Sequence, residues 1–567
     1  MSEFERVTPE SVGIDSAAVE AFLKQEKEAG VELHSFMIVR DGKVAAEGWA
    51  KPYDKKLRHP MFSFSKTLTA TAAGFAVQEG ILSLDEKLVD IFPEYCPDVI
   101  SDTLTAADIR SLLTMSCGHR TEMSLSEASR FGGSWISAFL AHPFPFAPGT
   151  VFQYNTWGTD MLSAIIQKKT GQKLTEFLKP RLFDPLGMED ITCASRGMGD
   201  DFTRTVEGGG WGMKLTTDDM AKFIWFLEQD GIREGKRLLS HDWIAQLSTK
   251  QIETDNPYYN DGRIKSNWLC GYGYQNWQCR VPGVWRADGA FGQFGIVIPQ
   301  KNAVVILTSC ALNTEAELNI VFDTLLPAMH GDSIRRTCAD FEVTDPDTLL
   351  CAEKLPENQT GESSLRSFLS GWRLPVLWGI RAPLLEEMYG GIHYTADSDS
   401  NPSLEDFIAG PGYFEKDGLS VKGVTFRFEN NTAFLDFELN RMPERPSAGA
   451  FRFDPFSPAG RTIPTGSEHL ICHDDDPGTA VKQTLNVGMD GKYRISRLTR
   501  YDIAASGTWT SPSAFEISAR NTEMTESVRI RCTFFRGMLN LEATGSLPEE
   551  SALTRREVTG MHFCSED

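Results

Sequence analysis

Residues 31–39 and 43–49 flank Asp41-Gly42 and predict a β-hairpin closed by a tight turn. From residue 63 to about 330 the pattern changes to helix-like apolar runs separated by loops marked with Gly and Pro. Thr67 to Glu79 is rich in Ala, Leu and Phe and ends at Gly80, which predicts a helix closed by glycine. Met161 to Lys169 predicts another, stopped at Thr170-Gly171, and Thr216-Thr217-Asp218-Asp219 reads as an N-cap followed by an acidic first turn. Two strand-like runs, 291–298 and 303–309, and a helix from about Glu315 to Met329 close this part. Residues 336–384 mix Pro, Gly, Ser and charge and read as a connector. From about 385 short alternating runs take over: Val424 to Phe428, Ala433 to Phe437, Phe515 to Ala519 and Val528 to Cys532. Turn signals such as Asn430-Asn431 and Asp490-Gly491 separate them, which predicts an all-β barrel or sandwich.

A chain of 567 residues exceeds what one core serves, so two or three domains are expected. The formal charge of −22 argues against nucleic acid and anionic membranes as partners, since either needs a basic surface. Met1-Ser2-Glu3-Phe4-Glu5-Arg6 lacks the basic and apolar regions of a secretory signal, and no stretch approaches 18 uninterrupted apolar residues. The 11 cysteines are odd in number and lack C-x-x-C pairs, so reduced thiols in the cytoplasm are the expectation.

The chemistry centres on Ser63-Phe64-Ser65-Lys66, the only Ser-x-x-Lys of the chain. Ser63 is expected at a helix N-terminus, where free N–H groups and the helix dipole favour developing negative charge. Lys66 follows one turn later on the same face. A hydroxyl and an amine so held form a nucleophile with its own base. Three further segments follow in order: Phe152-Gln153-Tyr154-Asn155-Thr156-Trp157-Gly158, Gly208-Gly209-Gly210-Trp211-Gly212-Met213, and Arg286-Ala287-Asp288-Gly289-Ala290-Phe291-Gly292-Gln293.

With these in order, residues 1–335 resemble the serine β-lactamase-related family, the group of class C β-lactamases, DD-peptidases, family VIII esterases, D-aminopeptidases and 6-aminohexanoate-oligomer hydrolases. The resemblance implies an α+β domain, an antiparallel sheet made from both ends of the domain with a helical lobe inserted between. Residues 385–567 resemble the small lipocalin-like β-domains that follow it in some relatives. It also implies catalytic roles for Ser63, Lys66 and Tyr154, with Lys66 and Tyr154 sharing the proton in an order the sequence leaves open. Gly289 and Ala290 would supply the strand whose N–H completes an oxyanion hole with that of Ser63.

Two departures from the family pattern matter. Asn155 follows Tyr154 directly and Thr156 takes the third place of the Tyr-x-Asn motif, so Asn155 as a substrate-orienting amide competes with a purely structural role. Where β-lactamases carry Lys-Thr-Gly or His-x-Gly, this chain has Ala287-Asp288-Gly289. Asp288 is either a cleft residue that repels a substrate carboxylate or a turn residue before Gly289. Arg286 is not expected to line the cleft together with Asp288, on the ground that a strand alternates its faces.

Asp397-Ser398-Asp399-Ser400-Asn401 mimics an EF-hand start, but Pro402 replaces the required glycine, and Cys472-His473-Asp474-Asp475-Asp476 reads as a solvated loop. The expectation is a serine hydrolase that needs no metal or cofactor and cleaves an ester or amide of a small molecule. The competing expectations are a non-catalytic ligand-binding protein of the same fold and a D-amino-acid peptidase.

Overall fold

The computed structural model describes residues 3–128, 134–260, 266–332, 353–377, 382–396, 419–441, 481–498, 501–523, 527–535, 538–545 and 559–565. Both runs weighed as metal loops, 397–402 and 472–476, lie outside them. The chain divides into two units, Met1–Arg373 and Leu374–Asp567.

The first unit is built on a seven-stranded sheet: β1 (Glu5–Arg6), β2 (Glu32–Arg40), β3 (Lys43–Trp49), β4 (Trp277–Gln278), β5 (Trp285–Gly289), β6 (Gln293–Ile298) and β7 (Ala303–Cys310). Their spatial order is β1-β3-β2-β7-β6-β5-β4, so both ends of the unit meet where β2 pairs antiparallel with β7. Asp41 and Gly42 join β2 to β3 with φ of 49° and 73°, the left-handed pair that a two-residue hairpin turn needs.

Alternation along these strands sorts the core into two layers. Phe36, Ile38, Phe294, Ile296, Val305 and Leu307 are buried in one core with Phe22 of α1 (Ser16–Glu28) and Leu318 of the helix Thr314–Ile320. Met37, Val39, Val297, Val304 and Ile306 are buried too, and a helix over Thr217–Glu228 packs on β2, β6 and β7. That helix opens with a reciprocal cap: Thr216 Oγ1 accepts the Asp219 N–H at 3.1 Å, and Asp219 Oδ2 accepts the Thr216 N–H at 3.3 Å. The lobe between β3 and β4 contains α2 (Ser65–Gln78) and α3 (Thr156–Thr170), which pack on each other.

Two sequence expectations shift at their edges. The strand expected over 291–298 starts at Gln293, because Phe291 and Gly292 take φ of 64° and 88° and form the turn out of β5. The helix expected from Glu315 to Met329 is regular over Thr314–Ile320 and widens over Val321–Leu325. Within the segment read as a connector, Gln359–Gly371 forms a helix on α1 and buries Leu365 in the core beneath the sheet.

The second unit is one ten-stranded sheet in the order 481–488, 432–441, 419–429, 393–396, 559–565, 538–545, 527–535, 514–521, 501–511, 494–498. The first of these strands also pairs with Tyr501–Ser511 at Gly488 and Ser506, which turns the sheet into a nearly closed barrel. Every second residue points inward: Val424, Phe426, Leu435, Phe437, Ile517, Ile530 and Leu541 are fully buried in its core. Among the described residues, no helix is long and apolar enough to cross a membrane.

Truncation separates these assignments. A chain ending at Arg373 should unfold in one cooperative transition. A chain ending near residue 340 should be less stable by on the order of 3 kcal/mol, because it uncovers the α1 surface that Leu365, Phe368 and Leu369 cover. Urea denaturation of the two proteins checks this.

Candidate active site

Ser63 lies in a tight 3₁₀ turn, Phe62–Phe64, that runs straight into α2 at Ser65. Phe62 just before it has φ of 46°, a left-handed conformation that costs a bulky residue energy and recurs at functional turns. Its ring packs edge-on against Phe291 at 5.3 Å. Lys66, in the first turn of α2, is buried to 1% exposure and donates from Nζ to Ser63 Oγ at 3.1 Å. The same ammonium donates to the Gly210 carbonyl at 2.7 Å and to Thr156 Oγ1 at 3.3 Å.

The Thr156 and Gly210 acceptors come from two of the three further segments singled out in the sequence. The run Gly208-Gly209-Gly210 passes so close to α2 and α3 that side chains do not fit: a Cβ on Gly209 would stand 2.7 Å from Thr69 Oγ1, and one on Gly210 would stand 2.9 Å from the Thr156 carbonyl. Asp160 Oδ1 accepts the Gly210 N–H at 2.8 Å, which turns that peptide's neighbour toward the lysine. Asp160 is four residues after Thr156 on α3, so both face this run.

Tyr154 is brought to the same place. Its ring centroid is 5.0 Å from Lys66 Nζ, and the ring stacks on Trp277 at 5.5 Å. Asn155 goes elsewhere. It caps α3, accepting the Gly158 N–H at 3.2 Å, and its Nδ2 lies 2.9 Å from His119 Nδ1. Thr156, in the third place of the motif, is the residue whose side chain meets the lysine. Its N–H donates to Glu122 Oε1 at 2.6 Å.

The third segment forms the wall on the other side. Strand β5 runs beside the Ser63 turn, and a Cβ on Gly289 would stand 2.2 Å from the Met61 carbonyl oxygen, so only glycine lets the strand end there. Ala290 follows in the turn, and Gln293 Nε2 donates to its carbonyl at 3.1 Å and to that of Ser309 at 2.7 Å.

Asp288 and Arg286 correct the expectation that they cannot share a face. They are two apart on β5, hence on the same side, and Arg286 Nε donates to Asp288 Oδ2 at 2.8 Å. Arg286 also donates to the Asn267 carbonyl at 3.0 Å and lies over the Trp268 ring. Burial raises the Asp288 carboxyl above its ordinary range, against the opposing pull of Arg286 and a hydrogen bond from Trp268.

The electrostatics set Lys66 and Tyr154 apart. Burial lowers the Lys66 ammonium to about 8; Glu122, Asp160 and Asp288 pull it upward and Arg196 pushes it down. Burial drives the Tyr154 phenol well above 10, with Ser63 acting in the opposite direction. At neutral pH Tyr154 is therefore a proton donor and Lys66 is within reach of its free-amine form.

Glu122, Asp160 and Arg196 were not singled out from the sequence, and the glycine run was singled out without the role of the Gly210 carbonyl. The i, i+4 spacing of Thr156 and Asp160 is a signal for Asp160 alone, and it shows a shared face without naming what that face meets.

A serine–lysine couple thus opens a helix beside a sheet that is antiparallel except where β1 pairs parallel with β3. The chain belongs to the beta-lactamase family, whose model matches residues 16–323. It is 22% identical over 298 residues to the 6-aminohexanoate-dimer hydrolase of Paenarthrobacter ureafaciens, covering 48% of this chain and 72% of that protein. It is 27% identical over 150 residues to the lovastatin esterase of Penicillium rubens, covering 23% of this chain and 37% of that protein. A D-stereospecific amidohydrolase structure from a Streptomyces species aligns with a TM-score of 0.42 at 19% identity, over 54% of this chain and 98% of that one.

Gly289→Ala should destabilise the protein by roughly 1–3 kcal/mol, because strand or turn must move to admit the methyl group. A lowered urea midpoint at unchanged slope is the expected reading.

Proposed function

We propose that this protein is a serine hydrolase that cleaves the ester or amide bond of a small molecule through an acyl intermediate on Ser63. The observation that carries it is the buried 3.1 Å contact between Lys66 Nζ and Ser63 Oγ, in a family whose matched relatives carry the names hydrolase and esterase.

In this reading the free amine of Lys66 takes the Ser63 proton as Oγ bonds to the substrate carbonyl carbon. The oxyanion that forms rests on the backbone N–H groups of Ser63 and Ala290, each such donor worth roughly 3–4 kcal/mol in other hydrolases. Collapse breaks the bond to the leaving alcohol or amine, which takes a proton from the Tyr154 phenol, and Lys66 returns one to Tyr154. Water then attacks the acyl carbon, giving a proton to the same pair, and Ser63 leaves with one. The division of labour follows from burial, which favours a neutral lysine and a neutral phenol. The scheme uses only groups of this chain.

The substrate is a neutral ester or amide. The position that carries a cation in β-lactamases holds Ala287, Asp288 follows it, and Arg286 balances the Asp288 charge, so this stretch of β5 offers no free cation for a substrate carboxylate. Losing one such charge-assisted hydrogen bond costs on the order of 1.5–3 kcal/mol.

Ser63→Ala should abolish turnover and labelling by a fluorophosphonate while leaving the melting temperature unchanged; wild-type rates in that variant would refute the mechanism. Because Lys66 acts unprotonated and its folded-state value lies near 8, kcat/KM should rise with pH, with a midpoint near 8, and level off above it. A flat profile between pH 6 and 9 would remove Lys66 as the base.

Nitrocefin, which bears a carboxylate, should be hydrolysed far less efficiently than a short-chain nitrophenyl ester. Asp288→Asn exposes the Arg286 charge and should raise the nitrocefin-to-ester ratio of kcat/KM by about tenfold. An unchanged ratio would show that Asp288 does not face the substrate.

A further inference from the structure

The lysine at the centre of this reading is held by a carbonyl, and that carbonyl is held in turn by an ion pair. Asp160 is fully buried and divides its carboxylate: Oδ1 accepts the Gly210 N–H at 2.8 Å, and Oδ2 accepts from Arg196 Nε and its terminal nitrogen. Arg196 is itself clamped. Its guanidinium carbon lies 3.6 Å above the Trp157 ring, and its backbone N–H donates to the Val206 carbonyl at 2.9 Å. Trp157, buried at 1% exposure, is fixed by its indole N–H donating to the Met123 carbonyl at 2.8 Å. The chain of contacts thus runs from Trp157 through Arg196, Asp160 and Gly210 to Lys66.

We infer that the Asp160–Arg196 pair is the positioning device of Lys66: it fixes the Gly210 carbonyl that receives the ammonium, and its two opposite charges are set against each other beside the amine. The bonds of the pair lead to the Gly210 peptide and from it to the lysine, so both residues act through the lysine. This inference rests on the serine-hydrolase reading.

The charges around Lys66 come from several elements. Glu122 lies in the loop that precedes the helix Leu125–Ala128, Asp160 on α3, Asp288 on β5 and Arg196 in the loop after residue 195, with Tyr154 as the nearby phenol. Glu122 and Asp288 have their own partners, the Thr156 N–H and Arg286. Asp160 and Arg196 are the two whose charges act on Lys66 in opposite senses while bonded to each other. Removing one leaves the other uncompensated, and the two removals must therefore move the lysine in opposite directions. A merely structural pair would not do this.

The test is the rate of Ser63 labelling by a fluorophosphonate between pH 5 and 10, in which the serine oxygen bonds to phosphorus, fluoride leaves and the proton passes to Lys66. Asp160→Asn should shift the midpoint downward by about one pH unit and lower the plateau ten- to a hundredfold, because the amide has one acceptor oxygen in place of two and cannot hold both the Gly210 N–H and Arg196. Arg196→Gln should shift the midpoint upward by a similar amount. Arg196→Lys, which keeps the charge, should stay at the wild-type midpoint. Midpoints that do not move, or that move the same way in the Asn and Gln variants, overturn the assignment. Melting curves identify a variant that has lost its fold; in that case the remaining arm decides alone, and an unmoved midpoint there is equally fatal. Absence of Ser63-dependent labelling in the wild type would instead overturn the hydrolase reading itself.

Discussion

The site depends on one buried ammonium group. Lys66 sits out of water among three oxygen acceptors, one from the Ser63 turn, one from the start of α3 and one from the glycine run. Burying a cation is costly unless it is paired or hydrogen-bonded, so each acceptor has to arrive with little freedom left. That requirement explains features with no chemistry of their own. The glycines at 208–210 let backbone come where a side chain would block it, and the strained Phe62 turn fixes Ser63 one helical turn from the lysine. The same desolvation brings the amine toward its neutral form near neutral pH, so the cost in stability and the lowered pKa have one origin.

Much of the frame can be read from local pattern, because its elements are decided by neighbours in sequence. The Asp41-Gly42 hairpin, the cap at Thr216 and the glycine that ends α2 each depend on two to four residues whose backbone preferences agree. The alternating strands after residue 418 follow the same logic, since a period of two already says which side chains enter the barrel core. The serine and lysine were legible for that reason too, being one turn apart.

What local pattern missed lies where distant segments meet. Asp160 and Arg196 are bonded across 36 positions, and neither belongs to a motif. Asn155 and Thr156 are adjacent, and their division of labour turns on which of them caps α3, a choice made by the direction in which the chain enters the helix. The Arg286–Asp288 pair was within reach of sequence reasoning. Residues two apart on a strand share a face, and applying the alternation correctly yields an ion pair where opposite faces were expected.

The shortest of these three contacts is to a peptide carbonyl, and that has an evolutionary corollary. No point substitution deletes a main-chain oxygen, so this one acceptor of Lys66 can be lost only indirectly, through the residues that place the carbonyl. The strand opposite enjoys no such protection, because what it presents at position 288 is a side chain and can be exchanged in a single step. Drift in a protein built this way is uneven: a change at position 288 alters the wall at once, whereas the carbonyl moves only when a residue that places it changes.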